Sequence, residues 1–179
     1  VTYYYLIASF PLLELDGKLP VSEKELSSIC EKSLTEEDLS DFKTILENVP
    51  EKAKSNFIKK WFSLDTQLRN ALARKRASNK GVESLSEQRE HEGFDVYVEK
   101  TASEAMNREN PAEREMVLDK FRWKTIDEMT EENPYDSGAV FGFALKFKIA
   151  SRWAERKAEK GRNKVKSFVK EALQEENHE

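Results

Sequence analysis

The sequence predicts an all-α protein. Charged residues make up 36% of the 179-residue chain and hydrophobic ones 38%, with 6 Gly and 5 Pro, a balance suited to long helices flanked by solvent. Capping signals followed by apolar residues at helical spacing recur along its length. The segment from Phe94 to Glu99 alternates like a strand, yet no second convincing strand exists to pair with it. A chain of this length can bury one core, so a single domain over 1–179 is expected.

The first element is the apolar run in VTYYYLIASFPLLELDGK. From Tyr3 to Leu13 it is about half the length that crosses a bilayer. Pro11 interrupts it, and no Lys or Arg precedes Lys18 to form the basic region of a secretory signal. It reads as a buried first core element, with a partner-facing aromatic patch as the alternative. Ser22-Glu-Lys-Glu25 is a capping box that starts a short helix with Leu26, Ile29 and Cys30 inward. Thr35 and Asp38 give a second start, and Leu39, Phe42, Ile45 and Leu46 recur until Val49-Pro50, closing an N-terminal segment over 1–50.

One long helix is expected over 51–80. Phe57, Trp61, Leu64, Leu68 and Leu72 form a narrow stripe, widened by Ile58 and Phe62, and ARKRASNKG supplies a basic last turn and a glycine cap. Residues 81–110 read as loop-rich: 83–93 are polar and the expected mobile region, 94–99 read as helix or coil, and Ser103–Arg108 form a helical turn. Asn110-Pro111-Ala-Glu113 gives cap, N1 proline and acidic first turn for a helix to about Thr130. Asp136 caps a final long helix from near Ser137, apolar around most of its first half and closed by Lys146 and Lys148. A last helix over 163–175 carries Val165, Phe168, Val169 and Leu173, before a frayed tail at 176–179. The endings ARKRASNKG and AERKAEKG align with one gap, either a coincidence common to helix ends or the trace of a duplicated hairpin.

The same residues narrow the function. A net charge of −4 gives no global attraction to nucleic acid or anionic membrane, and a lone Cys30 excludes an internal disulfide framework and fits a reducing, cytoplasmic compartment. His91 stands in the polar loop and His178 in the tail, and no metal-ligand spacing, nucleophile elbow, P-loop or GxGxxG occurs. No catalytic, cofactor-binding or metal residue is singled out. A non-enzyme without cofactor or small-molecule substrate is expected. Basic stretches at 69–80 and 146–166, interleaved with aromatics, leave a helical RNA-binding module as an alternative, against which stand Glu155, Glu159 and the negative total.

Three charges intrude on apolar faces. Arg152 falls between Phe141 and Leu145, Lys148 borders that stripe, and Asp65 lies inside the stripe of the first long helix. Buried charges need partners. Either Asp65 pairs with Arg69 one turn away while Arg152 snorkels to water, or these residues form a cross-helix or interface ion pair.

YYYLIASFPLL, PVSEKELSSICEKSLTEEDL, WFSLDTQLRNALARKRA and DKFRWKTIDEMTEENPYDSGAVFGFALKFKIASRWAERKAEKG resemble an uncharacterised bacterial family encoded within V-type ATPase operons. The likeness spans most of the chain apart from the loop near 81–110 and the tail. That family is similar, more faintly, to the C-type component of V-type ATPases (d-type in eukaryotes), an all-helical protein of repeated helical units that joins the membrane rotor ring to the central shaft. The resemblance implies a non-catalytic accessory subunit of a rotary V-type ATPase in the central stalk, cytoplasmic and membrane-associated only through the complex. A peripheral-stalk or assembly role is the alternative. The chain is far shorter than the C-type component, so ring-contacting and shaft-contacting positions do not carry over. Candidate interface residues are therefore chosen physically: Tyr3, Tyr4 and Tyr5 as an aromatic patch, and Trp61, Arg69, Lys148, Arg152 and Trp153 on the two long helices.

Overall fold

Local capping chemistry sets most helix starts. The computed structural model describes residues 2–82 and 88–176, with side chains placed to residue 166. Among them are seven α-helices: α1 (Tyr4–Ser9), α2 (Glu23–Ser33), α3 (Glu36–Glu47), α4 (Asn56–Lys80), α5 (Val96–Met106), α6 (Pro111–Glu131) and α7 (Ser137–Glu176). The chain is all-α, and no strand occurs among the described residues. Ser22 and Glu25 close the capping box of α2, Thr35 caps α3, Asn110 caps α6 and Asp136 accepts from the Ala139 amide at the start of α7.

Three boundaries differ from expectation. The long helix α4 begins at Asn56 rather than near Glu51, because Pro50–Lys52 forms a 3-10 turn and the buried Asp41 carboxylate accepts from the Lys54 and Ser55 amides at 2.8 and 2.7 Å. Ser55 then caps the helix. Part of the segment expected to be loop-rich is α5, which Asp95 caps and which buries Val98, Ala102 and Ala105 along one face. The small side chains of that face let α5 lie close against Leu68, Ala71 and Leu72 of α4. The expected stop at Gly161 does not occur, and α7 continues to Glu176 as one helix. Gly81 adopts φ +67 as a left-handed cap, whereas Gly161 has no positive φ and no neighbouring atom within 4 Å. One glycine costs a helix only about 1 kcal/mol, too little to end it among good helix formers. Val165 is exposed there. The side chains of Phe168, Val169 and Leu173, residues 83–87 and the tail at 177–179 lie outside the described set.

The apolar residues gather into two clusters. The larger joins Leu26 and Cys30 of α2, Phe42 and Ile45 of α3, Ile58 and Trp61 of α4, Ile126 of α6 and Val140 through Trp153 of α7. The smaller joins Leu68, Ala71 and Leu72 of α4, Val98, Ala102 and Ala105 of α5, and Leu118 of α6. On α4 the boundary between them falls at Asp65, and on α6 it falls at Asp119 and Arg122. The N-terminal run is folded inward: Tyr3 and Leu6 are buried, Phe10 stacks on Phe143 with ring centroids 4.1 Å apart, and the Tyr3 amide donates to the Tyr135 carbonyl. Among the described residues no helix is long and apolar enough to cross a membrane.

A further device pins residues 88–95. Ser63, Asn70 and Gln67, on one face of α4, each donate to and accept from the backbone of Glu92, Arg89 and Asp95 respectively. Gly93, at φ +75, lets the chain reverse between the first two attachments and the third. The part of the expected mobile region that is described is therefore held by side chains acting as a sheet edge would.

Candidate functional site

Between the two cores lies a chain of alternating charges. Arg69 Nη2 lies 2.7 Å from Asp65 Oδ2, and Arg122 Nε donates to Asp65 Oδ1 at 2.8 Å. Arg122 Nη1 donates onward to Asp119 Oδ1 at 2.9 Å. Asp119 also accepts from Arg152 Nη2 at 2.7 and 2.9 Å and from the Trp153 indole Nε1 at 2.8 Å. Asp119 is wholly buried, while the side chains of Arg69 and Arg152 are 55% and 45% exposed at the two ends. Burial of the Arg122 guanidinium would by itself lower its pKa, but the charges and hydrogen bonds of Asp65 and Asp119 outweigh it and hold the group above its ordinary value. Buried carboxylates held by this many donors link α4, α6 and α7 to one another.

The network forms one wall of a cleft of about 360 Å³ among α3, α4 and α7. Trp61, Phe62, Leu145 and Ile149 supply its apolar surface, Lys148, Arg152 and Arg69 its cations, and Glu23 and Glu155 stand exposed among the lining residues. Lys148 Nζ donates to the Leu46 carbonyl at 2.7 Å, closing the C-terminal end of α3.

Five of the residues chosen from sequence thus meet at one place: Trp61, Arg69, Lys148 and Arg152 line the cleft, and Trp153 holds the carboxylate behind it. Their roles differ. Trp61 and Trp153 are buried, at 5% and 8% exposure, and act from within rather than as free surface anchors. Arg152 does not snorkel to water but pairs across to α6, and Asp65 serves both Arg69 and Arg122. The tyrosine patch separates: Tyr3 is buried, its hydroxyl donating to Asp38 and accepting from the Thr35 amide, while Tyr4 and Tyr5 remain exposed, Tyr4 between Tyr5 and Tyr135. Burial and the Asp38 hydrogen bond both raise the Tyr3 pKa.

Asp119 and Arg122 were not singled out from sequence. The angular test that marks Asp65 would have found Arg122, which falls between Leu118 and Ile126 on the inward face of α6. Among the described residues no group of His, Cys, Asp or Glu is arranged to hold a metal ion. A more apolar concavity of about 440 Å³ lies under the strap from Ile7 to Leu13, against Trp123, Ile126 and Phe143.

A family model described as "Protein of unknown function (DUF2764)" matches residues 95–176. The chain is similar to that family over α5, α6 and α7. The matched segment carries Asp119, Arg122, Lys148, Arg152 and Trp153, whereas Trp61, Asp65 and Arg69 precede it. No curated protein and no solved structure matches the chain.

Proposed function

We propose that this chain is a non-catalytic accessory subunit of a rotary V-type ATPase, acting in the central stalk as a coupling element between rotor ring and shaft. The resemblance of the quoted stretches motivates the reading, and the observation that supports it is the cleft. Torque must pass through contacts that neither slip nor fuse. Half-exposed cations braced from behind by buried carboxylates, beside an apolar surface, offer an oriented contact of that kind. The RNA-binding alternative draws less support, because exposed Glu23 and Glu155 stand among the cations that line the cleft.

Affinity purification of the tagged full-length chain from its native cells, with mass spectrometry of what accompanies it, tests the reading. ATPase subunits are expected in near-stoichiometric yield, reduced by Lys148→Glu. Recovery of the folded chain without any ATPase subunit would overturn the proposal. The position of the chain in a map of the intact complex separates a central-stalk from a peripheral-stalk or assembly role.

A further inference from the structure

The C-terminal half of α7 reaches past the body of the protein. Among the described side chains the last buried one on α7 is Trp153, residues 155–166 are exposed throughout, and no neighbouring atom lies within 4 Å of where a Gly161 Cβ would stand. Lys157, bonded to Asp16, marks the edge of the body. From Ala158 to Glu176 the helix projects for about 28 Å at 1.5 Å per residue. A helix of that length is only marginally stable in water unless an apolar face is packed.

The sequence supplies such a face. Ala158, Gly161 and Val165 follow one another at intervals of four and three, and Phe168 and Ala172 continue the spacing. They prolong the line of buried Phe147 and Ala150 and half-buried Ala154 beyond the point where the body ends. Alternating three- and four-residue spacing is the seam of a coiled coil. Charge along the same stretch reverses. Lys157, Lys160, Arg162, Lys164 and Lys166 outnumber the single Glu159, whereas from Glu171 onward Glu175, Glu176 and Glu179 follow with no Lys or Arg among them.

We propose that two copies of this chain pair through the projecting halves of α7 in an antiparallel coiled coil, with the two-fold axis between residues 166 and 167. By register, Val165 meets Phe168 of the partner subunit, and Gly161 meets Ala172 of the partner subunit. The basic stretch of each copy then lies along the acidic end of the other, while a parallel pair would set like charges side by side. A two-fold interface needs one self-complementary surface, and a charge reversal along a single helix provides it. The overlap from Ala158 to Glu175 uses the projecting length and keeps the two bodies at opposite ends. A nucleic-acid backbone laid along the same helix would meet the acidic end instead. The pairing needs no other subunit, so its failure leaves the ATPase reading untouched.

Sedimentation equilibrium of the full chain is expected to show monomer and dimer exchanging with a Kd below about 1 mM. Val165→Asp, at a position 62% exposed in the single chain, should abolish the dimer and leave the melting temperature of the dilute monomer unchanged. Glu171→Lys combined with Glu176→Lys should weaken it about tenfold. Orientation is read from two cysteine variants, Ala158→Cys and Glu175→Cys, oxidised separately and as a mixture; buried Cys30 stays out of the reaction. A disulfide-linked dimer is expected from the mixture and from neither variant alone. A monomer up to about 1 mM, a dimer unaffected by Val165→Asp or by the charge reversal, or disulfides formed within either single variant would each overturn the proposal.

Discussion

Asp119 accepts more hydrogen bonds than any other carboxylate among the described residues. It is fully buried and accepts from Arg122, Arg152 and Trp153, so its removal leaves an indole N–H unpaired and guanidinium groups without their acid. Asp119→Ala is expected to lower stability by about 3–5 kcal/mol in urea denaturation. Arg152→Ala should cost only about 1–2 kcal/mol, since the arginine is half-exposed and Asp119 keeps two other donors. Equal losses for the two variants would remove Asp119 as the hub. Cys30 gives a second test at this scale. Burial pushes its thiol pKa from 9.0 up to about 12, so the folded state favours the protonated form. That contribution is fully present below pH 9 and is lost as pH rises toward 12. Modification by a thiol reagent at neutral pH should proceed only at the rate of opening, and a rapid stoichiometric reaction of the native protein would contradict the burial of Cys30.

Helix starts were legible because capping is local: an oxygen three residues ahead of an amide is written in the sequence at Ser22, Thr35 and Asp136, and one two residues ahead at Asn110. The start of α4 was not, because its deciding group, Asp41, lies on another helix. Glycines show the same division. Gly161→Ala should raise helicity by circular dichroism and leave stability unchanged or higher, since nothing lies within 4 Å of the new Cβ. Were Gly161 the helix cap expected from sequence, the same change would strain a left-handed residue and lower helicity. Gly142→Ala places a Cβ 2.5 Å from Thr130 Cγ2 and 3.2 Å from Ile126 Cγ2, so the Thr130 side chain must turn or α6 and α7 must part. A loss of about 1–3 kcal/mol is expected from that overpacking, read from the thermal midpoint.

At the scale of the whole molecule two hydrophobic cores share α4 and α6 and meet at a charged layer. Trp61 sits on the larger core's side of that layer and is 5% exposed. Trp61→Ala should therefore cost about 3–5 kcal/mol, and its effect should reach the smaller core. Amide exchange at Val98 and Ala102 should accelerate in step with the loss of global stability. Unchanged protection at those positions would show that the layer separates two independently unfolding units rather than joining them.

The sequence by itself determined the helical class, the N-terminal caps of α2, α3, α6 and α7 and which stripes turn inward, because each depends on residues within one or two turns of one another. It also marked Asp65 and Arg152 as charges in need of partners, and placed Trp61, Arg69 and Lys148 among the residues of interest. What it left open was the partner. Asp119 and Arg122 are joined to Asp65 and Arg152 by bonds spanning tens of residues, and no spacing rule within one helix contains that information. Only the packing of α6 between α4 and α7 decided it. Trp153 became an internal brace instead of a surface anchor, because a buried carboxylate recruits the donors within reach as the cores around it close, and Trp61 turned inward as part of the larger core.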